Sequence, residues 1–233
     1  MLVPICEHCL VKTTTRPSQK YKDNAESCDT DDTATRNAGK IREIRTILAG
    51  LDVVLVDSTD FPPFPEPEES GSTFLENATM KANAVHRATG LSALADDSGI
   101  EVDALGGGPG VRSARFGGAE LTDAERCAKL LEALGGVPED LRGANFRCVT
   151  VLYPAPGTAD RGLATEGLLY GRISGAPRGA GGFGYDPVFL VPERGMTVAE
   201  MEIGQKNSMS HRYRALLEMK HILIRDYGIA VKS

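Results

Sequence analysis

The chain has 233 residues, 41% of them apolar and 25% charged, and carries a net charge of −6. This composition is globular and sufficient for one large domain or two lobes around a cleft. The acidic balance excludes a general nucleic-acid binder, which needs an excess of Lys and Arg to neutralise phosphates, but leaves room for a small phosphate ligand with a divalent cation. No stretch approaches the apolar length of a membrane span, and Glu7 breaks the opening residues where a secretory leader needs an apolar core, so a cytoplasmic protein is expected. Of the five cysteines, Cys127 and Cys148 fall in a helical and a strand-like pattern and read as small buried hydrophobes. Cys6, His8, Cys9 and Cys28 lack the second half of a paired-cysteine zinc pattern.

In chain order, residues 1–33 are rich in Thr, Asp, Lys and Ser and have almost no apolar periodicity after Val11, which predicts a poorly ordered tail, and deletion of residues 1–30 is expected to change thermal stability little. From residue 34 onward the pattern is that of a single folded domain. Ile41, Ile44 and Leu48 recur at helical spacing, with Asn37 as cap and Gly50 beyond the end. A strand at Val53–Val56 and a proline-rich loop to Glu68 and Glu69 follow. Thr73 with Glu76 forms a capping box, and Phe74, Ala78, Ala82 and Val85 mark the buried face of the next helix.

Leu91–Gly99 then reads as a buried strand that delivers Asp96 and Asp97 to a turn at Ser98 and Gly99. Successive strand residues face opposite ways, so the two carboxylates are expected to do different work. A second capping box, Thr122 with Glu125, opens a helix ending near Gly135. Strands are predicted at Asn145–Tyr153, Gly167–Ile173 and Val188–Val191, a short helix after Thr197, and a last helix capped by Ser210. Helices and strands alternate early and strands cluster late, which predicts an α/β protein with a mixed sheet.

Several stretches carry chemistry. Thr35, Arg36, Asn37, Ala38, Gly39 and Lys40 lead into a helix whose free N–H groups attract anions. This is not a Walker A loop, because Ile41 stands where a Ser or Thr would meet Mg²⁺. Lys206, His211 and Arg212 gather cations at the start of the last helix, against its dipole, which points to an anionic ligand. Gly179–Gly184 matches G-x-G-x-x-G but runs into a strand instead of opening a helix, which excludes a dinucleotide fold. What is left is a pliant backbone carrying Phe183, Gly184, Tyr185 and Asp186 that suits stacking on, and edge bonding to, a planar ring. Lys81 lies one turn from Asn77, beside the apolar stripe of its helix, and Glu68 or Glu69 could complete an oxygen shell around Mg²⁺ with Asp97.

The motifs TRNAGK, EESGSTFLENATMKA, ADDSGIEVDALGGGPGVRSARF, GGFGYDPVF and KNSMSHRYRAL, in this order, resemble the inosine triphosphatase or HAM1 family of house-cleaning pyrophosphatases. The resemblance implies a long curved mixed sheet flanked by helices, two lobes around a central cleft, and usually a homodimer. It implies Mg²⁺-dependent hydrolysis of ITP, dITP and XTP to the monophosphate and pyrophosphate. By the same resemblance Asp97 is the catalytic acid and a metal ligand, with Glu68 or Glu69 in the acidic metal region. Thr35 to Lys40, Lys81, Ser98, Phe183 to Asp186, Lys206, His211 and Arg212 are its substrate contacts. Arg36 and Tyr213 stand where the family commonly has glycine. The apolar strand that usually runs straight into the first motif is missing, since residues 29–34 read DTDDTA. A Maf-type nucleotide pyrophosphatase and a nucleotide-binding protein without turnover are the alternatives.

Overall fold

A computed structural model of the chain describes residues 8–13, 38–57, 61, 64–65, 69–155, 157–158 and 161–232. Seven strands form one sheet: β1 (His8–Thr13), β2 (Val53–Asp57), β3 (Ser92–Val102), β4 (Gly143–Tyr153), β5 (Leu163–Ile173), β6 (Phe189–Val191) and β7 (Met196–Thr197), in the order β2-β1-β3-β4-β5-β6-β7. Five helices accompany it: α1 (Ala38–Leu48), α2 (Phe74–Thr89), α3 (Asp123–Ala133), α4 (Ile203–Met209) and α5 (His211–Arg225). The expected α/β architecture is thus found. Every pairing among the described residues is antiparallel, where the early alternation of helices and strands suggested a mixed sheet.

Both capping boxes form as the sequence dictates. Thr73 Oγ1 accepts from the Glu76 N–H while Glu76 Oε2 accepts from the Thr73 N–H, and Thr122 and Glu125 do the same. The apolar face of α2 then packs Phe74, Ala78, Ala82 and Val85 against Ala93, Ala95, Val149 and Val151.

Strand alternation sends Leu94 to the other face, where it joins Leu152 under α1 and α5. Further along this second face, Ile100, Val102 and Phe146 belong to a separate core with Leu130 of α3. Between the two cores runs a buried polar row from Asp96, Thr150 and Thr165. Two apolar masses on one face of the sheet are thus parted by buried polar side chains.

Two expectations need correcting. Residues 8–13, read as part of an unordered tail, form a strand between β2 and β3, pairing Cys9 with Asp57 and with Leu94. The inner edges of β2 and β3 would otherwise leave N–H and C=O groups unpaired, and this strand satisfies both. The acidic pair also does not end its strand, since β3 continues to Val102. Gly99 serves close packing instead of a turn: a Cβ there would lie 2.5 Å from the Gly110 carbonyl oxygen and 2.5 Å from Ser113 Oγ.

Candidate active site

Asp97 projects toward α2. Its Oδ1 accepts from Lys81 Nζ at 2.7 Å and its Oδ2 from Asn77 Nδ2 at 3.2 Å. Asn77 and Lys81 are four residues apart on one helix, so both reach the same strand position. Lys81 also lies 2.7 Å from Glu69 Oε1 and donates to the Asp96 carbonyl oxygen at 3.4 Å. Arg115 approaches Glu69 at 3.7 Å. Burial would lower the Lys81 ammonium, yet Asp97 and Glu69 more than offset it and hold the group protonated above the ordinary lysine range. Burial pushes the Asp97 carboxyl up, against the pull of Lys81 and Asn77. A carboxylate that is desolvated but paired with an ammonium is suited to accepting a proton.

Asp96 faces the opposite way. Its Oδ2 accepts from Arg212 Nε at 3.3 Å and Nη2 at 3.2 Å, with Lys40 Nζ 3.9 Å away. Burial opposes ionisation of Asp96, but the charges of Lys40, Arg212 and Lys81 hold its carboxyl well below the usual carboxylate range. Arg212 Nη2 also reaches Ser98 Oγ at 3.4 Å, and Nη1 reaches Glu43 Oε2 at 3.3 Å. Ser210 caps α5 by accepting from the Tyr213 N–H and donates to Glu43 Oε1.

The cations that predicted an anion at the start of α5 are therefore met by the protein's own carboxylates. Arg212 pairs with Asp96 and Glu43, and Lys206 Nζ lies 2.5 Å from Asp186 Oδ2. His211 adds no charge at neutral pH: burial, then Arg212, lowers its imidazole to about 3. The residue keeps some exposure, but Nδ1 is buried without a hydrogen-bond partner among the described residues, and the ring stacks on Phe146 at 5.0 Å.

The glycine-rich stretch brings Phe183 and Asp186 to this same face. Phe183 is 57% exposed, with Lys206 Nζ 4.5 Å from its ring centre. Tyr185, expected to touch a substrate ring, is instead buried in the core by α3, and its hydroxyl donates to the Ser113 carbonyl oxygen at 2.7 Å. A tyrosine beside pliant glycines gains more by burying its ring than by waiting for a ligand. A small cavity beside these residues is lined by Phe146, Leu169, Asp186, Lys206, Ser210 and His211.

The structure thus gathers Lys40, Ser98, Asp186, Lys206, His211 and Arg212 on one face of β3, and Asp97, Lys81 and Glu69 on the other. Ala38 and Gly39 open α1 ahead of Lys40. Thr35, Arg36, Asn37 and Glu68 lie outside the described residues, as do Cys6 and Cys28. Glu43 and Arg115 are not among the site residues expected from the sequence, and Asn77 is noted only as a neighbour of Lys81. Asn77 alone left a signal there, by sharing the face of Lys81.

An α/β protein that buries an ammonium between two carboxylates and sets an exposed aromatic beside a second ammonium carries groups suited to a charged, ring-bearing metabolite. Residues 33–222 match the model of the Ham1 family, and the chain belongs to it. The dITP/XTP pyrophosphatase of Geobacter sulfurreducens is 52% identical over 187 residues, covering 80% of this chain and 92% of the relative. That of Shigella flexneri is 47% identical over 183 residues, covering 78% and 92%. The solved HAM1 protein of Coxiella burnetii superposes with a TM-score of 0.74 at 42% identity, covering 82% of this chain and 95% of that one. The nucleoside-triphosphatase / dITP/XTP pyrophosphatase of Mycobacterium abscessus gives 0.66 at 39%, covering 80% and 95%. No helix among the described residues is long and apolar enough to cross a membrane.

Proposed function

We propose that the chain hydrolyses deaminated purine nucleoside triphosphates, dITP, XTP and ITP, to the monophosphate and pyrophosphate. The observation that carries this reading is the buried Asp97–Lys81 pair, joined at its outer side by the half-exposed Glu69, in a chain of this family. In this reading Asp97 accepts the proton of the attacking water, and Lys81 and Lys40 offset the charge that builds on the phosphate oxygens. Phe183 offers its exposed ring to the base.

The two carboxylates fit Mg²⁺ as the group that Ham1 resemblance implies. Asp97 and Glu69 already converge on one cation, the Lys81 ammonium, and both are hard oxygen donors. Among the described residues no group of three or more His, Cys, Asp or Glu side chains could hold a metal, so water and phosphate oxygens would supply the remaining ligands. Bound there, Mg²⁺ would neutralise phosphate charge. A homodimer acting in the cytoplasm on free nucleotides completes the proposal, and the net charge of −6 supports small nucleotides over nucleic acid.

Hypoxanthine and xanthine carry a 6-keto oxygen where adenine carries an amino group, so a pocket with a donor for that oxygen leaves donor facing donor when ATP enters. Guanine shares the keto group and is harder to reject. Pyrophosphate release from ITP, dITP, XTP, GTP and ATP, with Mg²⁺ and with chelator, tests the whole reading. ITP is expected to exceed ATP in kcat/KM by more than it exceeds GTP. Comparable values for ATP and ITP would refute the proposal.

A further inference from the structure

Both backbone polar groups of Gly184 are gripped by α3. Its N–H donates to Asp123 Oδ2 at 2.8 Å, and its carbonyl oxygen accepts from Cys127 Sγ at 3.3 Å. Asp123 and Cys127 stand four residues apart and so share one helix face. The grip is itself anchored: Asp123 Oδ1 lies 3.7 Å from the buried Arg126 guanidinium, which donates to the Leu121 carbonyl oxygen at 2.9 Å. Burial, reinforced by Asp123, pushes the Cys127 thiol up to about 11, so the sulfur keeps its hydrogen at neutral pH and can donate it.

The segment being gripped needs it. Gly179, Gly182 and Gly184 all have positive φ, a run of left-handed positions with much freedom to lose. Phe183 sits inside that run with 57% of its surface exposed, so apolar packing does little to place it, and the Lys206 ammonium 4.5 Å from the ring centre holds only its outer end. Its own N–H is tied to Asp186 Oδ2 at 2.9 Å, and the next peptide is the one α3 holds. We propose that Asp123 and Cys127 are positioning residues for the purine: by fixing the Gly184 peptide they fix where the Phe183 backbone sits and so where its ring, against which the base stacks, can reach. This rests on the reading of the chain as a purine triphosphate pyrophosphatase. Neither residue contacts Asp97, Lys81 or Glu69, so the effect belongs in binding of the base and not in the chemical step.

The test uses the full chain with Asp123→Ala, Asp123→Asn, Cys127→Ala and Cys127→Ser, read by amide hydrogen exchange over residues 179–188 and by steady-state kinetics on ITP. Loss of one net hydrogen bond corresponds to about two- to tenfold in affinity. Asp123→Ala should raise KM for ITP by that factor, leave kcat within about twofold, and speed exchange at Phe183 and Gly184. Asp123→Asn, whose amide oxygen still accepts, and Cys127→Ser, whose hydroxyl still donates, should restore KM toward wild type, while Cys127→Ala should not. An unchanged KM in Asp123→Ala, or a loss confined to melting temperature and kcat that Asp123→Asn does not rescue, overturns the proposal. Wild-type turnover of ITP is read first, and its absence fails the functional reading and not the clamp. In that event exchange decides: protection unchanged in Asp123→Ala overturns the clamp, and faster exchange upholds it.

Discussion

Asp96 and Asp97 are neighbours in sequence and belong to opposite faces of β3: Asp96 Oδ2 is held by Arg212 of α5, and Asp97 Oδ1 by Lys81 of α2. One peptide unit joins the two networks, and their substitutions should separate cleanly. Asp97→Asn is isosteric and loses the proton acceptor, so pyrophosphate release from dITP should fall by at least about 10²-fold with the melting curve little changed. Asp96→Asn leaves Arg212 partly uncompensated in a buried site and should cost stability, on the order of 3 kcal/mol, beyond any effect on rate. Equal kinetic losses with equal stability in the two variants would mean that the carboxylates act as one unit.

His211 makes stability depend on pH. Its imidazole is lowered from the ordinary 6.5 to about 3, so between those values the unfolded chain binds a proton that the folded chain refuses. The stability it contributes is full above pH 6.5 and is lost as pH falls through that window toward 3. Denaturant melts from pH 7 to pH 4 should show the wild type weakening more than His211→Gln. Parallel slopes for the two proteins would show that the imidazole is charged in the fold.

Residues 8–13 supply backbone partners to two strands at once. Deleting residues 1–13 should therefore lower the melting temperature by several degrees, the reverse of what a poorly ordered tail implies. An unchanged melting temperature would show that β2 and β3 find other partners.

The two aromatics of the glycine-rich stretch should part company. Phe183→Ala removes an exposed stacking surface, worth roughly 1–3 kcal/mol per base, and should raise KM for ITP without changing stability. Tyr185→Phe deletes only the bond to the Ser113 carbonyl and should cost about 1 kcal/mol of stability with KM unchanged. A KM effect confined to Tyr185→Phe would reassign the stacking role.

What the sequence made legible was local. The capping boxes at Thr73 and Thr122, the Ser210 cap and the divided roles of Asp96 and Asp97 each follow from spacing within a few residues. What stayed hidden depended on partners distant in the chain. Gly99 looked like the end of a strand because nothing nearby reveals Gly110 and Ser113 pressing on its open side. Tyr185 looked available because it follows a run of glycines, while the core that buries it and the Ser113 carbonyl that takes its hydroxyl come from distant parts of the chain. The cation cluster at α5 looked unbalanced because Glu43 is 169 positions from Arg212.

Gly167 on β5 lies directly under the first turn of α5, where a Cβ would come within 2.6 Å of the Ala215 nitrogen. The helix that presents His211 and Arg212 therefore rests on bare main chain, and Thr165 Oγ1 pins it there by donating to the Ala215 carbonyl oxygen at 2.8 Å. The seat is already at the closest approach two backbones allow. Any side chain at position 167 must therefore push the start of α5, and with it His211 and Arg212, away from β5. How far His211 and Arg212 stand from the sheet is in this respect a main-chain dimension, which substitution at this position can only enlarge and at a cost in packing.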